Sequence, residues 1–140
     1  MPFFQEEFPS TFDAMAEILD KAVDALRDGC WIPPEQEACT RLCLEEALVN
    51  AVRHGNEGNR DRKVCLELEA KEDRCCIRVY DEGAGFLPER VDLPSADQLG
   101  GRGICLIRHY MDSVFFNEEK HCLEMTLRRK ACCKGDGHHE

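Results

Sequence analysis

Apolar residues recur every three or four positions near the start of the chain. In "PSTFDAMAEILDKAVDALRDG" the positions Ala14, Ile18, Ala22, Ala25 and Leu26 form one stripe, which predicts an amphipathic helix. Ser10 or Thr11 can cap it, and Gly29 ends it. The segment "CWIPPEQEACTRLCLEEALVNAVRHG" carries a second helix. Pro34 suits its first turn, where no backbone N–H is needed. Leu44, Ala47, Leu48 and Ala51 give this helix a core face, and Gly55 supplies a stop. After the polar loop "NEGNRD" the period changes to two. "KVCLELEA" and "CCIRVYD" read as strands around "KEDR", an antiparallel hairpin. The stretch "EGAGFLPERVDLPSADQLGGRG" is rich in Gly and Pro and reads as loop, and "ICLIRHYM" as a short helix. "SVFFNEE" and "CLEMTLRR" form a closing strand pair around a turn at Glu118 to His121, and "FFQEEF" is a candidate edge strand. Helices and antiparallel strands in groups predict a two-layer α+β sandwich. With 140 residues and no repeats or linker, the chain reads as one domain over 1–131, followed by a disordered tail at 132–140.

Composition narrows the class. Hydrophobic residues make up 43% and charged residues 33%, the balance of a soluble globular protein. "MPFFQEEFPS" has no basic region leading into an apolar core, and no apolar run reaches the length of a membrane span, so the expected location is cytoplasmic. The net charge of −10 argues against nucleic acid, whose phosphates reward Lys and Arg, and fits a partner with a basic surface. The ten cysteines include no Cys-x-x-Cys pair. Cys39, Cys43, Cys65 and Cys105 fall on apolar positions, as expected for reduced thiols used as small hydrophobes. The tail "ACCKGDGHHE" joins Cys132, Cys133, His138 and His139, either a frayed terminus or an adventitious metal site.

Three constellations carry candidate chemistry. On the second helix Glu46, Asn50, Arg53 and His54 share a polar stripe, while Glu45 points about 100° away from Glu46. A solvated face explains such a stripe. The chemical alternative is a general base, Glu46, one turn before an amide oxygen, Asn50, able to bind Mg²⁺. The second is "DEGAGF". Asp81 follows a strand and can accept from an exocyclic amine such as that of adenine, and Gly83 and Gly85 allow close backbone approach. The third is "GGRGICLI", a glycine loop running into a helix with Arg102 inside it, suited to phosphate. A plain turn and a flexible helix entry are the ordinary explanations of the last two.

In this order, with 31 positions from Asn50 to Asp81 and 20 from Asp81 to Gly101, the three resemble the ATP-binding (Bergerat-type) fold of the gyrase, heat-shock-90, histidine-kinase and mismatch-repair superfamily. That fold is a two-layer sandwich with a mixed, mostly antiparallel sheet and helices on one face. The compact length and "GGRGICLIRHYMDSV" resemble the bacterial anti-sigma-factor serine/threonine kinases, over about residues 8 to 129. The resemblance implies ATP and Mg²⁺ as cofactors, with Asn50 as the metal ligand and Glu46 as the base that activates the attacking hydroxyl. It implies Asp81 as the adenine reader, Gly83, Gly85 and Phe86 beneath the nucleotide, and Gly101, Arg102 and Gly103 at the phosphates. Leu87 to Gly100 would be a lid, and Thr126 is the candidate for the threonine that supports the adenine. The implied activity is phosphorylation of an anti-anti-sigma (STAS-type) protein, with release to bind a sigma factor, in a homodimer without nucleic acid or membrane. Three alternatives stay open: a non-catalytic ATP-binding switch module, a detached histidine-kinase domain acting in trans, and a cysteine-based metal or redox protein.

Overall fold

A computed structural model describes residues 1–57, 59–82, 107 and 109–129. The chain opens with strand β1 (Phe4–Pro9) and helix α1 (Phe12–Asp28). Thr11 takes the cap: its backbone is extended and its Oγ1 accepts from Ala14 N–H at 3.2 Å. Gly29 ends α1, and Pro34 opens a short 3₁₀ turn, Pro34–Gln36, that leads into α2 (Glu37–Asn50). A π-helical turn, Ala51–Gly55, continues α2 beyond Asn50. Four more strands follow: β2 (Lys63–Lys71), β3 (Arg74–Tyr80), β4 (Ser113–Asn117) and β5 (Cys122–Arg128). Ile107, His109 and Tyr110 are helical, as expected for "ICLIRHYM".

The sheet order is β1-β2-β3-β5-β4, and each neighbouring pair is antiparallel. The period of two sorts its faces. Val64, Leu66 and Leu68 of β2, Ile77 and Val79 of β3, and Leu123, Met125 and Leu127 of β5 enter one buried core with Ile18, Leu19, Leu26, Leu44 and Leu48 of the helices. The result is the α+β sandwich expected from the pattern, with the helices covering one face.

The opposite face carries charge. Arg78 is 1% exposed there. It donates to Glu69 at 2.8 Å and to Glu124 at 3.1 Å, with Glu67 at 3.7 Å. Tyr80 donates to Glu67 at 2.7 Å and Asn117 to Glu124 at 3.0 Å, so the acids are tied as well. The Arg78 guanidinium helps hold the Glu69 carboxyl down to about 2.

A second clamp joins Phe3 and Arg129 to the segment after α1. The Arg129 guanidinium lies 3.9 Å over the Trp31 ring and donates to the carbonyls of Gly29 and Cys30, closing the C-terminus of α1. Phe3 stacks on the same indole, with ring centroids 6.5 Å apart.

The seven described cysteines are unpaired, and Cys43, Cys75, Cys76 and Cys122 are buried. Burial pushes the Cys43 and Cys75 thiols up to about 12, so they stay protonated and apolar at neutral pH. Among the described residues no helix is long and apolar enough to cross a membrane, and no group of three His, Cys, Asp or Glu could hold a metal ion. The expected tail at 132–140, with its Cys and His residues, lies outside the described residues.

Candidate nucleotide site

The last turn of α2 meets the C-terminal end of β3. Ala47, Asn50 and Ala51 of the helix line a small pocket with Val79 and Asp81, closed from the far side by Phe116 of β4 and Leu123 of β5. Small residues at 47 and 51 let the sheet end approach the helix. Asn50 is 1% exposed, and neither its Oδ1 nor its Nδ2 has a hydrogen-bond partner among the described residues. Burying an amide in that way costs about 1–3 kcal/mol. A buried amide with no partner in the chain is completed by an ordered water, an ion or a ligand. An amide oxygen such as Asn50 Oδ1 is the hard type of donor that a divalent cation takes, and Asp81 of the same pocket is an acceptor suited to an amine.

Glu46 stands one turn before Asn50 on the same helix and is half-buried. Burial foremost, and the neighbouring Glu45 charge after it, raise its carboxyl above the usual carboxylate range, while Arg53 pulls it partly back. A raised carboxyl is a stronger base, and Glu46 is the acid of the pair that shares Asn50's stripe. The π-helical turn adds one residue's worth of backbone just after Asn50, and such turns occur frequently at functional sites.

Asn50 and Asp81 line one pocket, and Glu46 lies one helical turn before Asn50. Gly83, Gly85, Phe86, Gly101, Arg102, Gly103 and the lid at 87–100 lie outside the described residues. Thr126 does not join the site. On β5 it alternates with Met125 and Leu127, so it points to the charged face, opposite Cys76 and beside Ser113, whose hydroxyl it meets. Expecting it at the adenine overlooked this parity. Phe116 and Leu123 were missed as pocket residues, because periodicity marks them only as buried strand positions.

The sequence profile of the histidine kinase-like ATPase domain matches residues 8–127. This chain belongs to that family. Its sheet and helices are those of the superfamily's ATP-binding fold. The chain is similar to serine-protein kinase RsbW of Listeria innocua, 29% identical over 89 residues, covering 53% of this chain and 54% of that protein. It is similar to anti-sigma F factor of Clostridium beijerinckii, 26% identical over 109 residues, covering 73% and 68%. It is also similar to serine/threonine-protein kinase BtrW of Bordetella bronchiseptica, 29% identical over 92 residues, covering 61% and 65%. In the first of these comparisons the chain spans about half the length of its relative. Two of these relatives are named as serine or serine/threonine kinases and one as an anti-sigma factor.

Proposed function

We propose that this protein is an ATP- and Mg²⁺-dependent serine/threonine kinase that works as an anti-sigma switch. It phosphorylates a small anti-anti-sigma (STAS-type) protein and, once released from it, sequesters a sigma factor. The observation that carries this reading is the buried, unpartnered amide of Asn50 beside Asp81. The names of the similar proteins, serine-protein kinase and anti-sigma F factor, point the same way. The expected setting is a cytoplasmic homodimer acting on transcription, with residues 1–131 as the working domain.

Phosphoryl transfer asks a protein mainly to position groups and to neutralise charge. Asn50 Oδ1 would hold Mg²⁺, which supplies charge neutralisation across the phosphates when bound. Asp81 would accept from the exocyclic amine of adenine. Gly83, Gly85 and Phe86 would lie beneath the nucleotide, and the Gly101–Arg102–Gly103 loop would donate to the terminal phosphate. Glu46 would take the proton from the attacking Ser or Thr hydroxyl, and its raised carboxyl suits that task.

Purified protein incubated with labelled ATP, Mg²⁺ and anti-anti-sigma domains from the same genome should yield an acid-stable phosphoserine or phosphothreonine product. An acid-labile product would mean histidine phosphorylation and overturn the serine/threonine assignment. ATP binding without transfer to any of those domains would favour the non-catalytic switch module.

A further inference from the structure

The expected loop "NEGNRD" begins with a residue that is fully buried. Asn56 has 0% exposure. Its backbone N–H closes the π-helical turn on Ala51 O at 2.8 Å. Its side chain then bonds three separate segments. Nδ2 donates to Ser10 Oγ at 2.8 Å, between β1 and α1, and to Lys63 O at 2.9 Å, at the start of β2. Oδ1 accepts from the backbone N–H of Glu82 at 2.7 Å. Ser10 in turn donates to Arg62 O at 2.7 Å, and Glu82 Oε1 accepts from Lys63 N–H at 3.0 Å.

Glu82 is the residue directly after Asp81. One buried amide therefore ties the end of the helix that carries Glu46 and Asn50 to the backbone that carries Asp81. Both amide hydrogens are used, and the short bond to Glu82 N–H fixes the chain where it leaves β3. A surface turn needs none of this: its backbone N–H could face water. From this geometry we infer that Asn56 is a positioning residue for the nucleotide base. It sets where the Asp81 carboxylate stands relative to Asn50, and so how sharply the site tells an exocyclic amine from a carbonyl. The inference rests on the reading of Asp81 as the base-contacting acid.

The test is nucleotide discrimination by calorimetry on the full chain. ATP presents an amine where GTP presents a carbonyl. Wild type should bind Mg-ATP more tightly than Mg-GTP. Asn56→Ala should weaken ATP binding about tenfold and GTP binding little, so that the preference collapses. A purely structural residue would lower Tm and leave the ATP-to-GTP ratio of the folded fraction unchanged. Should Asn56→Ala fail to fold, Glu82→Pro removes the same N–H without touching Asn56, and Glu82→Ala is its control. Glu82→Pro should lose the preference and Glu82→Ala should keep it. An unchanged ratio in folded Asn56→Ala, or in Glu82→Pro, overturns the inference alone. A wild type that binds neither nucleotide overturns the nucleotide-site reading beneath it.

Discussion

Glu46 and Glu45 are adjacent acids in sequence with different surroundings. Helical phase sets Glu46 beside Asn50, and burial raises its carboxyl. A carboxylate whose folded pKa lies above its unfolded value of about 4.3 weakens the fold once it ionises. That penalty is absent at low pH and grows as pH rises from the unfolded value through the folded one. Glu46→Gln should therefore raise Tm by about 1–3 °C at pH 7, with a smaller gain at pH 4, followed by thermal unfolding. The same change should cut phosphoryl transfer by about 10²- to 10⁴-fold with nucleotide affinity kept. Equal Tm gains at both pH values would show that ionisation is not the cause. Arg78 works in the opposite direction. Its removal by Arg78→Leu leaves Glu67 and Glu124 without their cation and Glu69 with only the exposed N-terminal ammonium at 3.1 Å. Urea unfolding should show a loss of about 3–5 kcal/mol. The stability that Glu69 gains from Arg78 is present above about pH 4.3 and is lost as pH falls toward its folded value of about 2.

Periodicity and punctuation made most elements legible. Thr11, Gly29 and Pro34 sit where their capping chemistry predicts, and the hairpin turn and the β4–β5 turn fall where the apolar alternation pauses. What stayed hidden depends on contacts between distant segments. A 3.6-residue pattern carries the eye past Asn50, so the π-helical turn at Ala51–Gly55 leaves no mark in it. Ser10 reads as a cap, yet it bonds Asn56 and Arg62 across the fold. Arg78 alternates with the core residues Ile77 and Val79, and acids on both flanking strands bury it on the other face. Thr126 shows the reverse case: its face was already written in the alternation of β5. At the end of α1, a Cβ added to Gly29 would come 2.9 Å from Trp31 Cδ1. Gly29→Ala should push the indole off its stack with Arg129 and cost about 1–3 kcal/mol, read as a lower urea midpoint with an unchanged slope. A neutral result would mean that Trp31 shifts freely.

Across the molecule, the family match over residues 8–127 and the five-stranded sheet agree on the histidine kinase-like ATPase fold. Glu46, Asn50 and Asp81 stand out as candidates in the sequence because each sets a special residue type near the end of an element, whereas the Gly101–Gly103 loop lies outside the described residues. The pocket walls at Val79, Phe116 and Leu123 do not stand out, since apolar residues carry no address of their own. The central claim is that Asn50 is kept open for a metal-bound nucleotide. Calorimetric titration of Mg-ATP into wild type and Asn50→Ala tests it most directly. Saturable, one-to-one, Mg²⁺-dependent binding by wild type, weakened at least ~10-fold in a variant of equal or higher Tm, is the predicted result. Equal affinity in the two proteins, or no binding by folded wild type, would contradict it.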